Sequence, residues 1–190
     1  MKFTRRGALA ALAMAALATP AAAQTYPDKP IRMIIAFAAG GPTDVVGRLL
    51  APRLSEILGQ QVVVENKPGA TGNIGTAMVA DAKPDGYTIL FSASTMAMAP
   101  ALYGKQLGYD PVNGLAAIAY VASVPLILLA PMDGAKSTPE LVGMLRKDPS
   151  KYSYASSGNG GMIHLASYLF ATRAGGDALH VPYRGSAPGM

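Results

Sequence analysis

The 190-residue chain has no cysteine and no tryptophan, and only two histidines, His164 and His180. The missing thiols exclude disulfides and thiolate metal sites, and two imidazoles are too few for a His-rich metal centre. Charged residues make up only 14% of the chain, and no Lys/Arg cluster reads as a nucleic-acid surface. Nucleotide motifs are missing too. A dinucleotide fingerprint requires G-x-G-x-x-G and a P-loop requires G-x-x-x-x-G-K-[ST]. FAAGGPTD (37–44) has adjacent glycines and no lysine, GATGNIG (69–75) is spaced G-x-x-G-x-x-G, and SGNGGMIH (157–164) fits neither pattern. The nucleophile elbow G-x-S-x-G is absent as well. Ser186 in RGSAP has its glycine misplaced. Ser156 and Ser157 follow a strand pattern and precede glycines, but the sequence places no base beside them: His164 falls on the following helix and His180 inside a strand pattern.

What is present begins with a leader. Lys2, Arg5 and Arg6 precede an apolar run from about Ala8 to Ala18, and Ala21-Ala22-Ala23 follows. This is the three-part secretory pattern with cleavage before Gln24, and the run is shorter than the about 20 residues a membrane span needs. Thr4-Arg5-Arg6 also hints at a twin-arginine signal, so the export route stays open. Removing residues 1–23 takes away three basic residues and no acidic one, so the net charge falls from +5 to +2.

Beyond the leader, apolar runs alternate with Gly-rich breaks. IRMIIAF (31–37), QVVVE (61–65) and YTILFSA (87–93) read as strands, the first being short, continuous and partly β-branched. Val45, Leu49, Leu50, Leu54, Ile57 and Leu58 recur at helical spacing, with Thr43 or Asp44 as cap, Pro52 as a kink and Gly59 as the stop. A second helix runs to about Ala82, and MAMAPALYG reads as a short one. LAAIAYVASVPLILLAP (115–131) reads as two consecutive strands bent at Ser123-Val124-Pro125. STPEL then opens a helix capped by Ser137 or Thr138. YSYAS (152–156) and ALHVPY (178–183) read as strands around an amphipathic helix, MIHLASYLFATRAG. Strands alternating with helices predict an α/β fold with parallel sheets, and the bend predicts a domain boundary near 121–126.

In parallel sheets the strand-to-helix loops gather on the carboxyl edge, where ligands bind. Four such loops are small, hydroxyl-rich or glycine-rich: AAGGPTD, SASTMA, ASSGNGG and YRGSAP. Helix N-termini there suit an anion, and small residues let the backbone approach it. Asp44 is either the cap of its helix or a partner for a ligand amine.

These loops also carry a family resemblance. YPDKPIR (26–32), FAAGGPTDVVGRLL, LGQQVVVENKPGATGNIG, DGYTILFSAS, YASSGNGGMIHLA and HVPYRGSAP resemble the extracytoplasmic solute receptors of the Bug family, which serve tripartite tricarboxylate transporters. The similarity covers nearly all of the chain after the leader. It implies a periplasmic-binding-protein-like fold of type 2, with two doubly wound α/β lobes, a hinge, and a second lobe incomplete in this chain. Residues 1–23 are then a signal peptide, 24–122 the first lobe and 123–190 part of the second. It implies a monomeric periplasmic receptor, not an enzyme, without cofactor, metal or nucleic acid. Such a receptor captures a small carboxylate, in some members partly through ordered water, and delivers it to a permease of one large and one small subunit. The expected contacts are Ala38, Gly40, Gly41, Thr43, Asp44, Ser92, Ser94, Thr95, Ser156, Ser157, Gly158, Asn159, Gly160, Tyr183, Gly185, Ser186 and Ala187. The amides of Gly40, Gly41, Ser157, Gly158 and Gly160 would hold carboxylate oxygens, and Arg184 would face a distal carboxylate. Family members continue well beyond a point like Met190, so weak binding and low stability are expected of these 190 residues alone. The competing readings are an exported serine hydrolase using Ser156 or Ser157, and an envelope interaction module without a small ligand.

Overall fold

The computed structural model describes residues 25–190; the expected leader lies outside the described residues. Its first sheet has three parallel strands in the order β2-β1-β3, with β1 at Ile31–Ile35, β2 at Val62–Asn66 and β3 at Thr88–Phe91. The continuous apolar run of β1 is explained by its place: a central strand of a parallel sheet is covered on both faces. Ile31, Met33, Ile34 and Ile35 are all at most 2% exposed. Ile31, Met33 and Ile35 form a core with Val62 and with Ala51 of α1 (Pro42–Leu58), flanked by Leu50, Leu54 and Leu58. Burying each large aliphatic side chain contributes about 1.5–3 kcal/mol.

Helix α1 continues through Pro52 and stops, as the sequence predicts, at Gly59 in the left-handed region (φ 68°). Its cap differs from expectation. Gly41 is the N-cap, and neither Thr43 nor Asp44 serves as one, because the helix starts at Pro42. Helix α2 (Asn73–Ala80) comes so close to the end of β1 that a Cβ at Gly75 would stand 3.0 Å from Ala36 Cα. A 3₁₀ turn at Ser94–Met98 and the short helix α3 (Ala99–Tyr103) follow β3.

The second sheet pairs β4 (Ser153–Ser156) with β5 (Leu179–Pro182), again in parallel. Helix α4 (Thr138–Lys147) precedes β4, and α5 (Met162–Ala174) connects the two strands. Ser137 caps α4, its hydroxyl accepting from Glu140 N–H at 3.3 Å. The Glu140 carboxylate also accepts from Lys136 N–H, one residue before the cap, at 2.7 Å. Leu145 of α4 and Ala171 and Ala174 of α5 are the buried apolar residues of this part.

One expectation fails. Residues 115–131 form no strands, and Ile118, Tyr120 and Ile127 are each at least 75% exposed. A strand needs a partner for its N–H and C=O groups, and none of the described elements pairs with this segment. No helix of the described residues is long and apolar enough to cross a membrane.

Candidate ligand-binding cleft

The loops after β1, β3, β4 and β5 face a common cleft of about 1070 Å³. Nine of the residues expected from sequence line it: Ala38, Gly41 and Thr43 after β1, Ser92, Ser94 and Thr95 after β3, Ser157 after β4, and Gly185 and Ser186 after β5. Much of its remaining wall is apolar and comes from β3 and residues 114–124, with Val46, Val79 and Ile163 from the helices, and Lys83 adds one cation. A second cavity of about 220 Å³ lies between the loop Pro68–Gly72 and the loops after β4 and β5. Ser157, Gly158, Asn159 and Tyr183 line it, together with Arg184 and Tyr103. Gly40, Asp44, Ser156 and Gly160 line neither space.

Asp44 explains how the first loop keeps its shape. The side chain is 3% exposed and fully engaged. It accepts from Gly40 N–H at 2.8 Å, from Arg48 Nε at 3.0 Å, and from Asn66 Nδ2 at 2.8 Å. Asn66 Nδ2 also donates to Phe37 O at 3.0 Å, so both ends of the loop are tied to the end of β2. Burial pushes the carboxyl pKa up, but hydrogen bonds from Arg48, Gly40 and Asn66, with the Arg48 charge, outweigh it and hold the group below its ordinary range. Asp44 is therefore an anionic post that supports the loop.

The expected amide donors can be followed in the same way. Gly40 N–H is committed to Asp44, Gly158 N–H to Ser156 Oγ (3.2 Å) and Gly160 N–H to His164 Nδ1 (2.9 Å). Gly41 N–H points at Ala38 O at a long 3.4 Å. Of the five, only Ser157 N–H has no acceptor among the described residues.

Hydroxyls tell a different story. Thr95 Oγ1 is buried and has no hydrogen-bond partner among the described residues, although Thr95 lines the larger cleft. An unpartnered buried hydroxyl costs about 1–3 kcal/mol, so such a group signals a missing partner. Thr43, Ser92, Ser94 and Ser186 line the same space with further hydroxyls.

Ser156 does have a base beside it, contrary to the sequence reading: its Oγ lies 2.6 Å from His180 Nε2. The pairing is not that of an exposed nucleophile. Ser156 is 4% exposed, and its hydroxyl also contacts both Gly158 O (3.1 Å) and Gly158 N–H. His180 stacks on His164 at 3.7 Å between ring centres, and Tyr154 stacks against His180 at 5.1 Å. Burial, then the charge His164 would carry, holds the His180 pKa below the usual imidazole range. This cluster anchors the glycine loop from beneath. No group of three or more His, Cys, Asp or Glu among the described residues could hold a metal ion.

Sequence reasoning missed the loop Pro68–Gly72 as a cavity wall. Ala70 (φ 46°) and Thr71 (φ 57°) both lie in the left-handed region, at a cost on the order of 1–3 kcal/mol each. Residue types alone give no signal for that geometry, beyond the flanking glycines.

A family model described as tripartite tricarboxylate transporter family receptor matches residues 46–190. The chain belongs to this family, which is one of solute receptors and not of enzymes. Among curated relatives, protein BugT of Bordetella pertussis (strain Tohama I) is 38% identical over 181 residues, 94% of this chain and 56% of the relative. Among solved structures, the periplasmic binding protein BugD is 39% identical with a TM-score of 0.75, covering 86% of this chain and 55% of BugD. An R. palustris protein solved with adipate is 32% identical with a TM-score of 0.72, covering 86% of this chain and 55% of that protein. The fold is thus the α/β fold of a periplasmic binding protein. The chain spans about half the length of the curated relatives it matches.

Proposed function

We propose that this protein is exported to the periplasm, captures a small carboxylate as a monomer, and passes it to the permease of a tripartite transporter. Residues 24–122 form the first lobe and residues 123–190 part of the second, with the cleft between them. The observation that carries this reading is the orphaned Thr95 hydroxyl, buried at the wall of a cleft lined by other hydroxyls. A carboxylate offers about four lone-pair sites, and in a cleft poor in free amides these hydroxyls and Ser157 N–H are its natural donors. Arg184, which lines the smaller cavity, would face a distal carboxylate. Ligand held by both lobes favours their closed arrangement over the open one. The membership of the family and the adipate bound by a structural relative support a carboxylate over other anions.

The test is a thermal-shift screen of the purified full-length protein against mono-, di- and tricarboxylates, amino acids and aromatic acids. Ligand at a hundred times its Kd adds about 2.7 kcal/mol of stability, a readily measured rise in Tm. At least one carboxylate is expected to give it; silence from all of them overturns the reading.

A further inference from the structure

The loop between β2 and α2 carries the most unusual backbone of the described chain. Gly69, Ala70, Thr71 and Gly72 stand at φ 133°, 46°, 57° and 94° in succession. Ala70 and Thr71 are the only non-glycine residues of positive φ among the described residues. For a β-branched residue that conformation is an outlier, and it persists only where the surroundings over-determine it. Here the surroundings belong to the other side of the cleft. Thr71 Oγ1 donates to the carbonyl of Asn159 at 2.6 Å. Among the described residues this is the only hydrogen bond joining residues 25–122 to residues 123–190. The rest of the side chain sits against the loop after β4. A Cβ at Gly158 would stand 3.0 Å from Thr71 Oγ1, and one at Gly161 would stand 3.1 Å from Thr71 Cγ2. The glycines of GNGG thus make the seat into which Thr71 fits, and the smaller cavity opens beside it.

We propose that Thr71 is a clasp: its hydroxyl ties the β2–α2 loop of the first lobe to the glycine loop of the second and favours the closed arrangement. This rests on reading the cleft as one that closes on a solute. When the lobes part, the bond to Asn159 is lost and Thr71 is free to leave the left-handed region. Closure and the order of both loops are then coupled through one side chain. Thr71 is a positioning residue here, since it acts on the solute through the loop that it holds.

The test compares Thr71→Val, which keeps the branched shape and removes the hydroxyl, with Thr71→Ser, which keeps the hydroxyl. The readout is hydrogen–deuterium exchange of the segment 157–161 in the ligand-free protein, whose Gly160 and Gly161 amides are hydrogen-bonded to His164 Nδ1 and Gly158 O. Loss of one neutral hydrogen bond is expected to speed exchange there about three- to tenfold. Thr71→Ser is expected to restore the slow rate, while β1 and α1 stay unchanged in both. Exchange at 157–161 that is equal in wild type and Thr71→Val overturns the proposal, as does Thr71→Ser exchanging as fast as Thr71→Val. Should Thr71→Val fail to fold, Thr71→Ala against Thr71→Ser makes the same comparison. Where succinate or adipate binds the wild type, Thr71→Val is expected to release it faster by a similar factor, and an unchanged release rate counts against the clasp. Absence of any carboxylate binding would instead remove the solute reading, and the ligand-free exchange result separates the two failures.

Discussion

Replacing Thr95 with valine tests the cleft in two opposite directions at once. The two side chains share a shape, so packing around position 95 is preserved while the unpartnered Oγ1 is removed. A buried hydroxyl without a partner costs about 1–3 kcal/mol. Its removal is expected to stabilise the ligand-free protein by a similar amount, a rise of about 2–4 °C in Tm per kcal/mol for a chain of this size. With a carboxylate bound, the hydroxyl would instead donate to a charged acceptor, a bond worth about 1.5–3 kcal/mol. Loss of that bond weakens binding about 10- to 100-fold, at 1.4 kcal/mol per decade. Differential scanning calorimetry without ligand and isothermal titration with whichever carboxylate raises the wild-type Tm measure the two effects. A protein that is stabilised alone yet binds more weakly is the signature of a hydroxyl held ready for ligand. If Thr95→Val leaves both the melting temperature and the affinity unchanged, ordered water already satisfies Oγ1 and the argument from its isolation collapses.

Three further expectations follow from the groups beneath the loops. Asp44 is held below the ordinary carboxylate range when folded, so its contribution is complete above about pH 4 and is lost as the pH falls through its folded pKa. Asp44→Ala leaves Gly40 N–H without its acceptor and takes one partner each from Asn66 and Arg48, which keep Phe37 O and Asn66 Oδ1, and should cost about 1–3 kcal/mol, while Asp44→Asn should flatten the acid limb of a denaturant-midpoint profile. His180 binds its proton less readily folded than unfolded, so stability should be complete above about pH 6.5 and decline below it; His180→Gln, followed by urea unfolding between pH 5 and 8, should remove that decline. Ser156 should not react with a fluorophosphonate despite its His180 neighbour, because it is buried and lines neither cavity; covalent labelling detected by intact-mass spectrometry would reopen the hydrolase reading.

The strands were legible where an apolar run coincides with burial. IRMII is continuous because β1 lies between two parallel neighbours, and of the two candidate caps, Ser137 and Thr138, Ser137 is the one that caps α4. The apolar run 115–131 misled for the same reason that β1 did not. Hydropathy reports what a segment would bury, whereas strand formation needs a partner for its backbone, and the described residues supply none. Residues of the cleft were legible as loops of one type on one edge of a parallel sheet. Their individual hydrogen bonds were not, because Asn66 and His180 come from distant stretches and reach the loops only once the chain folds.

That difference changes what the glycine loops are for. From sequence, GGPTD and SSGNGG look like backbone amides presented to an anion. In the structure most of those amides are occupied by the protein's own acceptors, the Asp44 carboxylate, Ser156 Oγ and His164 Nδ1. Each internal bond removes a donor from the ligand and fixes a loop that would otherwise have to be ordered upon binding, and fixing it beforehand lowers the entropic cost of capture. Small residues are still required, since Thr71 and Leu102 pack where side chains on the GNGG glycines would stand. Their job is close approach between loops. On the proposed function, recognition would then fall to hydroxyls such as Thr95 and to whatever water they hold, an arrangement in which selectivity depends on a few side chains mounted on a pre-satisfied backbone.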